Sequence, residues 1–311
     1  MNAVRRVSSR GRLMMAVDLG GTKILAGLIS VDGRLVRELR RPVDAWNRSA
    51  LLTQLVSVVR EIQDHVPARG RLEGVGVAVP GAVRPDGTVW APNLKEWRRV
   101  ALADHLTKYT GLRAVVENDR LTSLLGEQWC GAARGVGSAV FITIGTGLGA
   151  GFMLDRHSFT GTHAVAGSIG WWVLGKDRTS ARSAEIGMLE AAVAGPAILR
   201  RMRRAGISGS SARELVTAAR RGDWRARAIL KDVGELVGLA VANLVSLFDP
   251  EIVVLGGGVA QAGRFLLDPI RTAVRSHAQP LARSVRICRS ALGTRASLFG
   301  AAALVNPDLK V

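Results

Sequence analysis

The sequence predicts an α/β protein made of two related halves that face a common cleft. Short apolar runs of strand length alternate with longer stretches of helical spacing, which is the pattern of α/β architecture. A strand, glycine turn, strand arrangement opens the chain at 15–29 and returns at 139–154, a weak internal repeat about one domain apart. No Pro-rich, Ser-rich or low-complexity linker divides the halves, so close packing is expected.

The elements follow in order. Residues 15–17 and 24–29 flank a glycine turn, Asp32-Gly33 marks a hairpin, and 35–39 continues the meander. Residues 49–65 carry Leu51, Leu52, Leu55, Val58, Val59 and Ile62 at helical spacing, with Ser49 as N-cap candidate. Residues 75–79 read as a buried strand ending at Pro80-Gly81, and Pro85-Asp86-Gly87 as a turn. A helix at 102–109, a strand at 114–117 and a helix at 120–129 complete the first half. In the second, strands at 139–144 and 150–154 flank Gly145-Thr146-Gly147-Leu148-Gly149. Helices are expected at 188–204, 212–220 and 224–248, then a strand at 252–255 running into Gly256-Gly257-Gly258 and a helix from about Val259.

Composition excludes several classes. With 311 residues and 48% apolar content the chain can bury a sizeable core. No run reaches the ~18 to 20 apolar residues of a membrane span, and the basic residues 1–13 lack an apolar signal core, so a cytoplasmic address without membrane association is expected. Cys130 and Cys288 stand far apart and suit buried thiols better than a metal or disulfide pair. The balance of 43 Lys+Arg against 25 Asp+Glu gives +18. That charge draws anions, yet no DNA- or RNA-binding motif accompanies it, and sequence-specific nucleic acid is not an expected partner.

Three motifs carry chemistry. In Asp18-Leu19-Gly20-Gly21-Thr22-Lys23, paired glycines allow backbone N–H groups to converge on phosphate oxygens; Asp18 can organise Mg²⁺ through water, Thr22 can donate a hydrogen bond and Lys23 adds charge. A tight hairpin with no ligand explains the same residues. The turn Gly145, Thr146, Gly147, Gly149 repeats this chemistry in the other half, and the P-loop pattern is absent. Glu117-Asn118-Asp119 lies between a strand and a helix, where Asp119 can orient a hydroxyl and accept its proton. The competing role is a helix N-cap by Asn118 or Asp119.

These motifs, taken in order with Pro92-Asn93-Leu94, Trp97, Gly195-Pro196-Ala197-Ile198 and Gly256-Gly257-Gly258, resemble the ROK family of sugar kinases, repressors and related proteins from Met14 to about Ala303. The resemblance implies an actin-like ATPase (ribonuclease H-like) fold, divided into a small α/β domain at 14–118 plus 298–311 and a large one at 119–297. It further implies a glucokinase-like transfer of phosphate from ATP, with Mg²⁺, to a sugar hydroxyl, with Asp119 as the base. Phosphate turns fall at Asp18 to Thr22 and Gly145 to Gly149, and adenosine contact at Gly256 to Gly258. Asn93, Asn118 and Glu190 match sugar ligands, and similar proteins are commonly homodimers.

The departures are specific. Where family kinases carry Gly-Glu-Ile-Gly-His, with a sugar-binding Glu and a zinc-binding His, this chain has Gly167-Ser168-Ile169-Gly170-Trp171, and the following segment 177–185 lacks cysteine. No zinc is therefore expected. Ser168, His163, Trp171 and Trp172 alter the pocket, the tryptophans serving either as a stacking surface for sugar or as packing in place of the metal. Leu121 replaces the family's second Asn. The family's repressors carry an amino-terminal winged-helix domain, for which the roughly fourteen residues before the first strand are too few. The alternative reading is a catalytically impaired sugar- or nucleotide-binding regulator.

Overall fold

The computed structural model describes residues 11–45, 47–175 and 185–309, and these divide into two compact units. The first comprises 1–130, 162–164 and 295–311 where described; the second comprises 131–161 and 165–294.

In the first unit, β1 (Arg12–Leu19), β2 (Lys23–Ser30) and β3 (Leu35–Pro42) form the expected antiparallel meander. β1 then pairs in parallel with β4 (Arg71–Val79), and β4 with β7 (Ala114–Asn118), giving the sheet order β3-β2-β1-β4-β7. The short strands β5 (Ala82–Val83) and β6 (Val89–Trp90) make a separate hairpin around the Pro85-Asp86-Gly87 turn. Registers Asp18↔Ala78 and Val79↔Asn118 bring Asp18 and Asn118 to the same carboxyl end of the sheet. That end is where open α/β sheets bind ligands.

The helix Arg48–Gln63 packs Leu51, Leu55, Val58, Val59 and Ile62 into the core. Its cap is Asn47, whose side chain accepts from Ala50 N at 2.9 Å, rather than Ser49.

On the sheet's other side, the helix Asp119–Cys130 lies against the helix Ala296–Ala303 at backbone distance. A Cβ on Gly300 would fall 1.5 Å from the carbonyl oxygen of Thr122, and one on Gly126 would fall 2.2 Å from that of Ala296. Gly76 of β4 is equally tight, its hypothetical Cβ lying 1.7 Å from the carbonyl oxygen of Ala301. The helix Asp119–Cys130 is therefore packed within the first unit, and the compact units divide after Cys130. The division read from sequence, after Asn118, cuts across this packing.

The second unit repeats the topology. β8 (Ala139–Ile144), β9 (Leu148–Leu154) and β10 (His157–Phe159) form an antiparallel meander, and β8 pairs in parallel with β11 (Ile252–Gly256), which pairs with β12 (Arg286–Arg289). The order β10-β9-β8-β11-β12 matches β3-β2-β1-β4-β7 strand for strand, so the internal repeat is a repeat of fold.

The helix Trp224–Phe248 buries Ile229, Leu230, Val233, Val237, Val241, Leu244 and Val245 against this sheet. The single helix expected at 188–204 is two, Met188–Val193 and Gly195–Arg204, because Pro196 at the first turn lacks the N–H that would continue the earlier helix. The helix expected from Val259 begins as a 3₁₀ turn, Val259–Ala262, and becomes α-helical only at Arg264–His277, after Gly263 at φ +60°. Among the described residues no helix is long and apolar enough to cross a membrane.

The Gly300 contact yields a stability prediction. Gly300→Ala forces the two helices apart and is expected to destabilise the protein by about 3 kcal/mol or more, read as a lower denaturation midpoint. An unchanged midpoint contradicts the packing described.

Candidate active site

The first unit gathers a pair of carboxylates. Asp18 is the penultimate residue of β1 and Asp119 opens the helix after β7. Between their elements lie two buried hydroxyls. Ser297 Oγ donates to Asp18 Oδ1 at 3.0 Å, and Thr122 Oγ1 lies 3.1 Å from Ser297 Oγ. The Thr122 hydroxyl also approaches the carbonyl oxygens of Asn118 and Asp119 at 3.0 and 3.1 Å. A hydroxyl has one proton, so with the Ser297 proton committed to Asp18, Thr122 divides its own between Ser297 and the carbonyls. The sequence reading missed Thr122 and Ser297, since a hydroxyl on the buried side of a helix looks like any other small residue.

Asn118 resolves the competition over the helix N-terminus. Its Oδ1 accepts from Leu121 N at 2.9 Å, so Asn118, not Asp119, is the cap. Its Nδ2 donates to Glu117 Oε1 at 2.8 Å, and the same oxygen accepts Asn118 N at 2.7 Å. Burial pushes the Glu117 carboxyl up, opposed by these hydrogen bonds.

Asn118 caps through Leu121 N, while the Asp119 carboxylate accepts from the backbone N–H groups of Arg120 and of Asp119 itself. Burial pushes the Asp119 carboxyl up to about 6, Arg120 pulls it down, Asp18 adds to the rise, and these backbone hydrogen bonds lower its affinity for a proton. Asp18 is also raised by burial, against the Ser297 hydrogen bond and the charge of Lys23.

The turn after Asp18 is closed by Gly20 N donating to Lys23 O at 2.9 Å. Gly20 and Gly21 both have negative φ, so left-handed conformation is not what requires glycine. A Cβ on Gly20 would lie 3.2 Å from Lys23 O; at Gly21 there is open space, and the exposed backbone stays uncovered. Thr22 is exposed and Lys23 half-buried. Asn93 sits exposed in a turn anchored by buried Leu94 and Trp97, with Ala91 N donating to Trp97 O at 2.7 Å. His163, exposed, belongs to the short segment 162–164 that groups with this unit.

In the second unit the turn is Gly145-Thr146-Gly147, with Gly145 N donating to Gly147 O at 2.9 Å. Gly149 lies outside it, buried in β9 opposite Thr143. Glu190 braces the turn, its Oε2 accepting Leu148 N at 2.7 Å, and Gly195 N donates to Gly145 O at 2.8 Å. A Cβ on Gly147 would meet Glu190 Oε2 at 2.8 Å, which explains that glycine.

Gly257, at φ +84°, packs so closely on β8 that a Cβ would lie 2.4 Å from Ile144 O. Gly256 is hemmed by Phe141, whereas Gly258 faces open space and is the member of the triplet accessible to a ligand. Ser168 Oγ donates to Val165 O at 2.7 Å, within its own loop. The two tryptophans part ways: Trp172 packs on the core, and Trp171 is 55% exposed. The segment 177–184 lies outside the described residues.

The Asp119 carboxyl gives a signed pH prediction. Its value of about 6 exceeds the ordinary 3.8, so the folded protein binds this proton more tightly than the unfolded chain. The stability conferred is full below about 4 and is lost as pH rises through about 6. Asp119→Asn is expected to stabilise the protein at pH 7.5 by on the order of 1 to 3 kcal/mol and to change little at pH 4, read by denaturant titration. Destabilisation at pH 7.5 contradicts the assignment of buried charge.

Comparison with known proteins identifies the family and the fold. The ROK family model matches residues 14–307. A glucokinase of Thermotoga maritima is 32% identical over 312 residues, covering 94% of this chain and 97% of its own length. Among solved structures, the ROK family glucokinase from Streptomyces griseus, in complex with glucose and AMPPNP, superposes with a TM-score of 0.80 at 29% identity, covering 94% of this chain and 98% of its own. The ROK hexokinase from Thermus thermophilus gives a TM-score of 0.77 at 29% identity, covering 93% and 96%. The fold is the actin-like ATPase fold of these kinases, and the chain belongs to the ROK family.

Proposed function

We propose that this chain transfers the γ-phosphoryl group of ATP to a hydroxyl of a hexose or hexose-like sugar, with Asp119 as general base. The observation that carries the reading is the Asp119 carboxyl, raised to about 6 at the carboxyl end of the first sheet while its neighbour Asn118 does the capping. A base of that strength is mostly ionised at neutral pH and still basic enough to take a proton as it is released. The family and the glucokinase and hexokinase relatives support sugar phosphotransfer.

In the reaction Asp119 orients the sugar hydroxyl. As the oxygen bonds to the γ-phosphorus, the hydroxyl proton passes to Asp119 and the bond to the β-phosphate oxygen breaks, leaving ADP. Such transfer needs positioning and charge stabilisation more than covalent chemistry. With the N–H groups of Gly20 and Gly145 closing their own turns, those of Gly21, Thr146 and Gly147 are the donors for phosphate oxygens, with Thr22 and Lys23 beside the first turn, and Gly258 suits the adenosine side.

Asp18 fits Mg²⁺: it is a hard carboxylate donor fixed by Ser297, and Mg²⁺ ordinarily takes one or two carboxylates with water and phosphate. Bound with the nucleotide, the ion neutralises phosphate charge. Asn93 is exposed and available to sugar hydroxyls. Asn118 and Glu190 serve the sugar indirectly as well, because each also fixes a working segment, the helix start and the glycine turn. Ser168, with its proton on Val165 O, meets a sugar as an acceptor, and His163 completes the set of sugar-facing candidates.

A coupled ADP-release assay over hexoses, amino sugars and N-acetylated sugars is expected to show stimulation by at least one. Asp119→Asn is expected to lower kcat at least a thousandfold while nucleotide affinity changes less than threefold. Sugar binding by calorimetry with no phosphorylated product by mass spectrometry contradicts the kinase and favours the regulator.

A further inference from the structure

Much of the +18 charge lies away from the residues discussed so far. In the second unit, one cavity is lined by Arg220, Arg227, Arg264 and Arg289 around Phe265, and no carboxylate is among its lining residues. The four arginines come from four places in the fold: the end of the helix Ala212–Arg220, the first turn of Trp224–Phe248, the first residue of Arg264–His277 and the last residue of β12. Convergence from separate elements distinguishes this group from a charged stripe along one helix.

The guanidinium groups are held in two ways. Arg227 Nε donates to Ala219 O at 2.9 Å, and Arg220 Nη2 donates to Gln261 O at 3.2 Å. Each tether uses one donor of a guanidinium that has five N–H bonds. Arg227 and Arg264 both lie over the Phe265 ring, with Cζ 5.6 and 5.4 Å from its centroid. The nearest acids in sequence are directed to other arginines, Asp223 to Arg225 and Asp268 to Arg271. The helix Arg264–His277 adds its own uncovered N–H groups, because Gly263 offers no capping side chain and the first turn has no acid. Four like charges around one cavity repel unless an anion joins them.

We infer that this cavity binds a small molecule carrying a phosphate dianion, gripped by the forked donors of Arg264 and Arg289 and by the remaining donors of Arg220 and Arg227. Guanidinium forks match phosphate geometry bidentately, and four cations exceed what a single carboxylate needs. The ligand is a phosphate other than those handled by Gly20-Gly21 and Gly145-Thr146-Gly147. Inorganic phosphate, a short oligophosphate and a sugar phosphate share the recognised chemistry, and the experiment separates them.

Calorimetry on the full chain with phosphate, tripolyphosphate and a hexose 6-phosphate, beside a titration with ATP, tests the inference without depending on catalytic turnover. At least one of the three probes is expected to bind, with affinity falling as salt rises, and the probe that binds most tightly names the ligand type. Replacing Arg264→Gln together with Arg289→Gln is expected to weaken that probe at least tenfold, and the Arg264→Lys, Arg289→Lys pair to fall between, since charge is kept and the fork lost. The Kd for ATP should stay within twofold. Absence of binding by all three probes overturns the inference, as does equal binding by the Gln pair. A parallel tenfold loss of ATP affinity also overturns it, by making the cavity part of the donor site.

Discussion

The contact on which the first unit depends is the one between the helices Asp119–Cys130 and Ala296–Ala303. Glycine on both sides, Gly126 and Gly300, brings the two backbones into direct contact, and Thr122 and Ser297 meet in the space that results. Ser297 reaches Asp18, and Thr122 reaches the carbonyls of Asn118 and Asp119. The Asp18 carboxylate and the first turn of the helix that opens on Asp119, from distant parts of the chain, are thereby joined by one polar link in a buried setting. A helix pair separated by ordinary side chains would leave both hydroxyls without this geometry, and Asp18 would be positioned only by its own strand.

Much of this fold was legible in sequence because its signals are local. Apolar runs bounded by glycine marked β1, β2, β8 and β9, and helical spacing marked Arg48–Gln63 and Trp224–Phe248. The repeat of strand, turn and strand anticipated the matching sheet orders. What escaped depends on contacts between distant residues. Ser297 bonds Asp18 across most of the chain, and β12, a four-residue strand with an exposed arginine at each end and only Ile287 buried, carries too little apolar signal to be seen alone. Pro196 and Gly263 altered helix boundaries in ways that turn chemistry explains, yet helical periodicity on either side masked them.

The site was legible in residue type more than in task. Asn118 was read as a sugar ligand or a cap, and its Oδ1 forms the cap on Leu121 N, so Asp119 does not have to supply that bond. The glycines of both turns were read as conformational necessities. None has a positive φ; a Cβ would crowd a neighbour at Gly20 and Gly147, the backbone is exposed at Gly21, and Gly149 is buried in a strand. Glu190 was matched to a sugar ligand, and in the structure its Oε2 also accepts Leu148 N. In each case a short polar group near a turn has several possible partners, and only the fold selects among them.

The proposal rests on a carboxyl that burial makes a better base, and that property is directly measurable. A carbon-13 NMR titration of aspartate carboxyl groups, with the Asp119 signal identified by its loss in Asp119→Asn, should show a midpoint near 6, matched by a one-proton rise of kcat/KM over the same range. A midpoint at the ordinary value of 3.8, with kcat/KM flat through pH 6, would contradict it.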